Sequence, residues 1–366
     1  MKAGILTFHN ARNYGAVLQA WATQEFLLMR GIDAEVIDYR SPVIESSYRV
    51  WQAGRDGLKA LPRALSRMVR YSRFESFVGR NLRLSSSRYG DGDRIDDIYD
   101  AILFGSDQVW NPALSDGFGG PYWGGFQSSA RKIAWAASMN AGALGPDEAA
   151  AVQRLLKGFD AVSVREESLR ELLQPLCART VECLPDPTLL LDREKWLTVA
   201  SPVRRRGYVL AYPMVWEDKV VQAAREIAVK RGLPLVILSK KALWRPRKDT
   251  VQWAGPAEFL SLVEGAACIV TSSFHGTAFS VIFRKPFLSI VPPGERNLRV
   301  ESLLSSLALE DRLSSGADVR LSEQLPGGED LDRHLAALRN QSAAFLDKAL
   351  GAGERTDGRP GDERHP

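Results

Sequence analysis

Lys2–Tyr39, KAGILTFHNARNYGAVLQAWATQEFLLMRGIDAEVIDY, decides the fold class. It opens on a short apolar run, Lys2–Phe8, which predicts a buried strand. A polar loop, His9–Asn13, follows. Tyr14–Arg30 then carries Val17, Leu18, Trp21, Phe26 and Leu27 at helical spacing, and Gly31 stops it. Ala34–Tyr39 is a second strand. Strand, loop, helix, strand in this order is the unit that builds parallel sheets.

The pattern continues downstream. Asp100–Gly105, Lys132–Met139, Ala161–Arg165 and Val181–Leu184 read as strands, and Pro146–Gly158 and Glu167–Leu176 as helices. These strands are apolar throughout, as expected when helices cover both faces of a sheet. Asp186–Pro187 and Ser201–Gly207 (SPVRRRG) read as a junction. After it the alternation restarts. Tyr208–Tyr212, Pro234–Leu238, Cys268–Ser272 and Phe287–Val291 are strands, and Glu217–Arg231, Pro256–Gly265, Gly276–Arg284 and Val300–Leu309 are helices.

The expectation is an α/β chain of two lobes with a cleft between them. The first lobe spans 1–200 and carries a basic helical insertion at 41–90, helical over 56–77. The second spans 207–325. A helix at 330–350 packs on the lobes, and 351–366, without aromatic or large aliphatic anchors, is a disordered tail. Ligands in open parallel sheets bind beyond the carboxyl ends of the strands.

Composition narrows the class. The 366 residues are 45% hydrophobic and 25% charged, ordinary values for a globular protein. A net charge of +4 gives no case for nucleic-acid binding. The charge is concentrated, however. Arg49, Arg55, Lys59, Arg63, Arg67, Arg70, Arg73, Arg80, Arg83 and Arg88 face only Asp56 and Glu75. Such a segment is either a solvated helical face or an attractor for anions, including a membrane surface. Three cysteines without a C-x-x-C pair fit a reduced protein, and four histidines without H-E-x-x-H argue against zinc. The N-terminus lacks the long apolar stretch of a signal peptide. No window reaches ~18 uninterrupted apolar residues. A cytoplasmic protein is expected, with a peripheral contact at the inner membrane face as an extension of the basic segment.

Chemistry gathers at strand ends. Ile269–Ala278, IVTSSFHGTA, is an apolar strand ending in hydroxyls, with His275-Gly276 opening a helix. Ser272, Ser273 and Thr277 offer hydroxyls, Gly276 permits close approach of a ligand, and the helix N-terminus favours an anion. His275 can carry a proton near neutral pH. The alternative is that Ser273 caps the helix and His275 is a core residue. Phe8–Gly15 repeats the architecture with His9, Asn10, Asn13, Tyr14 and Gly15, and Asn13 alone would account for it as a helix cap. In Phe104–Asn111, FGSDQVWN, residues Ser106, Asp107, Gln108 and Asn111 can hold sugar hydroxyls with Trp110 as a stacking face, or form a capped turn. Arg165 ends a strand and suits a carboxylate or phosphate, or pairs with Glu166 or Glu167. Arg296 and Arg299 precede a helix and are further anion candidates. Asp91-Gly-Asp93 resembles a metal-binding D-x-D but sits in a turn-rich segment. There is no Walker A, G-x-G-x-x-G or EF-hand string.

The strings GILTFHNARNYGAVLQA, FGSDQVWNP, KIAWAAS, SVREES, DPTLLL and TSSFHGTAFSVIFRKPF occur in the order seen in polysaccharide pyruvyl transferases, over roughly Met1 to Arg312. The chain therefore resembles that family. The resemblance implies a GT-B-like fold of two Rossmann-like lobes, phosphoenolpyruvate as the donor and co-substrate, and a sugar or lipid-linked glycan as the acceptor. It implies His275 as catalytic acid and Arg165 as a donor ligand, with the second lobe on the donor side and the first on the acceptor side. No metal or other cofactor is required. Many relatives carry arginine two residues before this histidine, where this chain has Ser273. The donor's anionic group would then need Arg299 or Arg296. The rival enzyme on this architecture is a nucleotide-sugar-dependent glycosyltransferase. A non-catalytic glycan- or lipid-binding module is the rival of another class.

Overall fold

The computed structural model describes residues 1–47, 61–90, 92–95, 98–115, 117–139, 143–239, 247–293, 297–316, 319, 321 and 328–351. Arg296, Asp91 and the tail beyond Gly351 lie outside them, as do Arg49, Arg55 and Lys59.

The first lobe runs β1 (Lys2–Leu6), α1 (Tyr14–Met29), β2 (Asp33–Tyr39), α2 (Pro42–Ser47), α3 (Leu61–Asn81), β3 (Leu84–Tyr89), β4 (Ala101–Phe104), β5 (Arg131–Ala137), α4 (Pro146–Leu156), β6 (Ala161–Val164), α5 (Glu167–Leu173) and β7 (Val181–Cys183). Its sheet has the order β3-β2-β1-β4-β5-β6-β7, with every pair parallel. α6 (Arg193–Leu197) leads into the second lobe. There follow β8 (Tyr208–Tyr212), α7 (Glu217–Arg231), β9 (Leu235–Leu238), β10 (Thr250–Val251), α8 (Pro256–Gly265), β11 (Ala266–Thr271), α9 (Phe274–Ile282), β12 (Phe287–Ile290), α10 (Leu298–Ser306), β13 (Leu313–Ser314) and α11 (Glu329–Leu350). This sheet is also parallel, in the order β10-β9-β8-β11-β12-β13. Both sheets are doubly wound, as their apolar central strands require. The chain is an α/β protein of two Rossmann-like lobes.

One apolar core crosses both lobes. Tyr14 on α1 stacks on Phe259 of α8 at 4.8 Å, and its hydroxyl donates to the Ala254 carbonyl at 2.9 Å. Trp21 meets Trp196 at 4.8 Å, and Trp196 meets Phe279 edge-on at 4.8 Å. α11 straddles the seam. Phe345 packs on Trp135 of β5, and Asp347 pairs with Arg30 of the first lobe, while Asp332 pairs with Arg284 of the second.

The basic segment contributes to the same seam. The Arg70 guanidinium lies 5.3 Å from the Tyr14 ring and 5.6 Å from Phe74. Arg73 lies 4.4 Å over Trp253 and 3.0 Å from Glu258, both in the second lobe. Part of this charge therefore holds α3 against α8.

Candidate active site

The site is built where β1, β4, β5, β6, β7 and β11 deliver their carboxyl ends. Its centre is Asp186, fully buried two residues after Leu184, where the chain leaves β7. One carboxylate oxygen accepts from the Thr188 N–H at 3.0 Å and the Thr188 hydroxyl at 2.8 Å. The other accepts from Arg165 Nη1 at 2.6 Å and from the Ser106 hydroxyl at 3.4 Å. His275 Nε2 stands 3.5 Å from that same oxygen, without a hydrogen bond of its own.

Burial alone would push the Asp186 carboxyl up. The charges of His275 and Arg165 and the Thr188 N–H outweigh it and hold the group below the usual carboxylate range. Arg165 is buried too. Its Nε lies 3.1 Å from Glu166, its Nη2 donates to the Ser138 hydroxyl at 3.0 Å, and its guanidinium lies 4.5 Å over the Phe274 ring. Burial works against its charge, but Glu166 and Asp186 raise its pKa above the ordinary arginine value.

Across the cleft, α1 meets His275 through Gly15. A Cβ built at position 15 would fall 2.0 Å from His275 Nδ1. Only glycine allows this approach, and it fixes the imidazole between the two lobes. Gly15→Ala is expected to destabilise the protein by about 1–3 kcal/mol, the usual range for overpacking. Thermal and denaturant unfolding of this variant check that.

A cavity of 230 Å³ adjoins this cluster, with Arg165, Asp186, Phe274, Arg299, Leu303 and Leu338 in its lining, and His275 reaches it through Asp186 and the neighbouring Phe274. Arg299, on the first turn of α10, makes no hydrogen bond or ion pair with the described residues. Its pKa is lowered, first by burial and then by the like charge of Arg165, and the acids Asp107, Glu166 and Asp186 offset this only in part. A second guanidinium held this way favours an incoming anion.

The sequence-selected residues divide on this geometry. His275, Arg165 and Ser106 converge on Asp186, Arg299 lines the cavity, and Gly15 packs against His275. Asp107, with its side chain accepting from the Gln108 N–H, is close enough to act on both arginines. Asn13 and Ser273 are helix caps, accepting from the Gly15 and Gly276 N–H groups. Ser272 accepts from the Met214 and Val215 N–H groups and donates to the Val215 carbonyl, and Thr277 bonds Ser273 and Ser289. These hydroxyls are engaged within the lobe.

Three expectations are corrected. Trp110 has 0% exposure and stacks on Trp123 at 4.6 Å, so it presents no face to a sugar. Gly276 serves the fold: a Cβ there would meet Thr271 Oγ1 at 2.3 Å and the Tyr212 ring at 2.9 Å, so its close approach is to protein. His9 and Tyr14 are buried, His9 Nε2 lying 2.9 Å from Asp38 and Tyr14 sitting in the seam. Asn10 is buried with its side-chain oxygen unpartnered among the described residues, and Asn111 bonds Gln108 at 3.2 Å in the loop after β4.

Asp186, Glu166 and Ser138 were not selected from the sequence as site residues. Asp186 follows a strand end like the others, but the Asp-Pro pair reads as a turn. Among the described residues no His, Cys, Asp and Glu side chains cluster as a metal site, and no helix is long and apolar enough to cross a membrane.

Among solved structures, the chain is similar to UDP-GlcNAc 2-epimerase from Methanocaldococcus jannaschii at 13% identity, covering 93% of this chain and 100% of that one with a TM-score of 0.42. It is similar to UDP-N-acetylglucosamine 2-epimerase from Rickettsia bellii at 11% identity, over 96% and 97% of the chains, with a TM-score of 0.44. The glycosyltransferase SnogD from Streptomyces nogalater aligns at 12% identity over 95% and 97%, with a TM-score of 0.41. These likenesses are loose. No curated protein matches the sequence. The family profile described as polysaccharide pyruvyl transferase matches residues 13–292, a stretch that holds Gly15, Ser106, Arg165, Asp186 and His275 together. The chain belongs to the polysaccharide pyruvyl transferase family.

Proposed function

We propose that the cavity beside His275 binds phosphoenolpyruvate and that the protein moves its pyruvyl group onto hydroxyls of a sugar in a polysaccharide or lipid-linked glycan, releasing phosphate. The observation that carries this reading is Arg299, a guanidinium without a hydrogen-bond or ion-pair partner among the described residues, lining the same cavity as the buried Arg165 and Asp186. It supplies the cation that Ser273 does not. Phosphoenolpyruvate is a small dianion or trianion with a carboxylate and a phosphate, and two arginines suit both groups.

The chemistry follows from the donor. A proton from His275 goes to the methylene carbon, which leaves C2 electrophilic. A sugar hydroxyl attacks C2 and loses its proton. Phosphate departs with the C–O bonding pair, and attack by a second hydroxyl closes a cyclic ketal. Arg165 and Arg299 stabilise the negative charge on the carboxylate and the departing phosphate. Asn10, Asp107, Gln108 and Asn111, on the loops after β1 and β4, offer polar groups to the acceptor.

The test is ligand-induced stabilisation. Phosphoenolpyruvate at a hundredfold excess over its Kd should add about 2.7 kcal/mol and raise Tm accordingly. Arg299→Ala should remove most of that shift. A shift from sugar nucleotides in place of phosphoenolpyruvate would transfer the reading to a nucleotide-sugar glycosyltransferase.

A further inference from the structure

A second groove, of 300 Å³, lies along the outer edge of the second sheet. Its walls are α3, the segment before β8, strands β8 to β10, and α8. None of its lining residues lines the cavity beside His275. Tyr14 separates the two places: its hydroxyl holds the Ala254 carbonyl, next to Trp253 of the groove, while the adjacent Gly15 packs on His275.

The groove has an uncommon lining. Trp253 is 44% exposed, whereas Trp21, Trp110, Trp123, Trp135 and Trp196 are buried. The Arg73 guanidinium lies 4.4 Å over the indole and backs it. Arg204 and Arg205 stand exposed on the segment before β8, with Arg205 5.5 Å over the Tyr208 ring. The acid in the lining, Glu258, is engaged: one oxygen is 3.0 Å from Arg73 and the other accepts the Gly255 N–H at 3.0 Å. Ser201 and Ser261 add hydroxyls.

We propose that this groove binds an anionic sugar unit of a glycan, apart from the site of transfer. A backed indole stacks on the C–H face of a pyranose. Arg204 and Arg205 then meet a carboxylate on the ring, with the fork geometry that suits one. The volume lies at the lower end for small-molecule pockets, which fits one sugar unit better than a nucleotide with its base, ribose and phosphates. Resting on the pyruvyl-transfer reading, there is a further consequence: each transfer adds a carboxylate to the sugar. A glycan already modified would carry the charge this groove matches, and would be retained while the next unit is presented to His275.

Binding of an oligogalacturonate, measured by titration calorimetry, tests the groove. Cellohexaose is the uncharged control and uridine monophosphate the nucleotide control. The expected result is saturable binding of the oligogalacturonate, weakening as salt rises, with little binding of cellohexaose. Trp253→Ala should weaken it about tenfold. The double variant Arg204→Glu, Arg205→Glu should abolish it while keeping the native Tm, and Trp253→Ala should stay folded with a modestly lower Tm because it loses the Arg73 contact. Native-strength binding in Trp253→Ala, equal binding of cellohexaose, or displacement of the oligogalacturonate by uridine monophosphate would overturn the proposal. A native protein that fails to shift with phosphoenolpyruvate but still binds the oligogalacturonate would sink the donor reading and leave this one standing.

Discussion

His275→Gln is expected to lower the rate of pyruvyl transfer by about 10²–10⁴-fold, the usual cost of removing a general acid. Both kcat and kcat/KM should fall, because the proton is delivered in the transition state and not on binding. Glutamine keeps a polar side chain of similar reach beside Gly15, so the seam between α1 and α9 stays filled. Asp186 keeps Arg165 and both bonds to Thr188. The melting temperature should therefore stay close to native, and the phosphoenolpyruvate-induced shift should survive in part through Arg165 and Arg299. Phosphate release followed under single-turnover conditions reads the effect. Near-native release would remove the proton from His275 and send the search to another acid in the cavity.

Asp186→Ala carries the largest expected loss of stability, about 3–5 kcal/mol. The variant leaves the Arg165 guanidinium buried with Glu166 as its remaining ion-pair partner and Asp107 farther off, and strips the Thr188 N–H and hydroxyl of their acceptor. Asp186→Asn, which keeps the shape and one acceptor, should cost less. Urea unfolding distinguishes them: the midpoint should fall in the order native, Asn, Ala, with an unchanged slope. The pH dependence has a definite sign. The folded carboxyl of Asp186 is depressed below its unfolded value of about 3.9. Its stabilisation is fully present above that value and is lost only as pH falls further, through the folded value. Native protein should therefore lose this contribution in acid, and Asp186→Asn should show a flatter stability profile there.

Much of the fold is legible in the residues because the central strands are buried on both faces. KAGILTF, DAILFG and IVTS have no polar face to confuse the pattern, and the structure has β1, β4 and β11 there. The edges are another matter. β3, LSSSRY, pairs on one side only and is largely polar, so nothing in its composition separates it from a loop. β10 and β13, at the two edges of the second sheet, are two residues each and leave no periodicity to read. The helix in the basic segment ends a few residues later than its composition suggests, at Asn81, and its expected start near Asp56 lies outside the described residues.

The site follows the same logic. His275, Arg165 and Arg299 stand out because each puts a charged or titratable group at a strand end or helix start, although Arg165 also has the structural use of pairing with Glu166 and Asp186. Trp110 misleads, since an aromatic among polar residues looks available, and only the three-dimensional packing shows Trp123 covering it. Asp186 is hidden by its neighbour, because proline after aspartate also favours the start of a turn. Its importance comes from what converges on it out of three other segments, and no local pattern carries that.

The shared core has an evolutionary consequence. Tyr14 ends in the second lobe, Arg73 rests on Trp253, and α11 is anchored on both sides. Lobes of this kind cannot be exchanged between relatives as independent modules, because a transplanted half would bring one side of each of these contacts without the other. Under the proposed reading, new acceptor specificities in such a chain would arise from substitutions in the loops after β1 and β4. The two halves are bound to diverge together, while their rims are free to diverge alone.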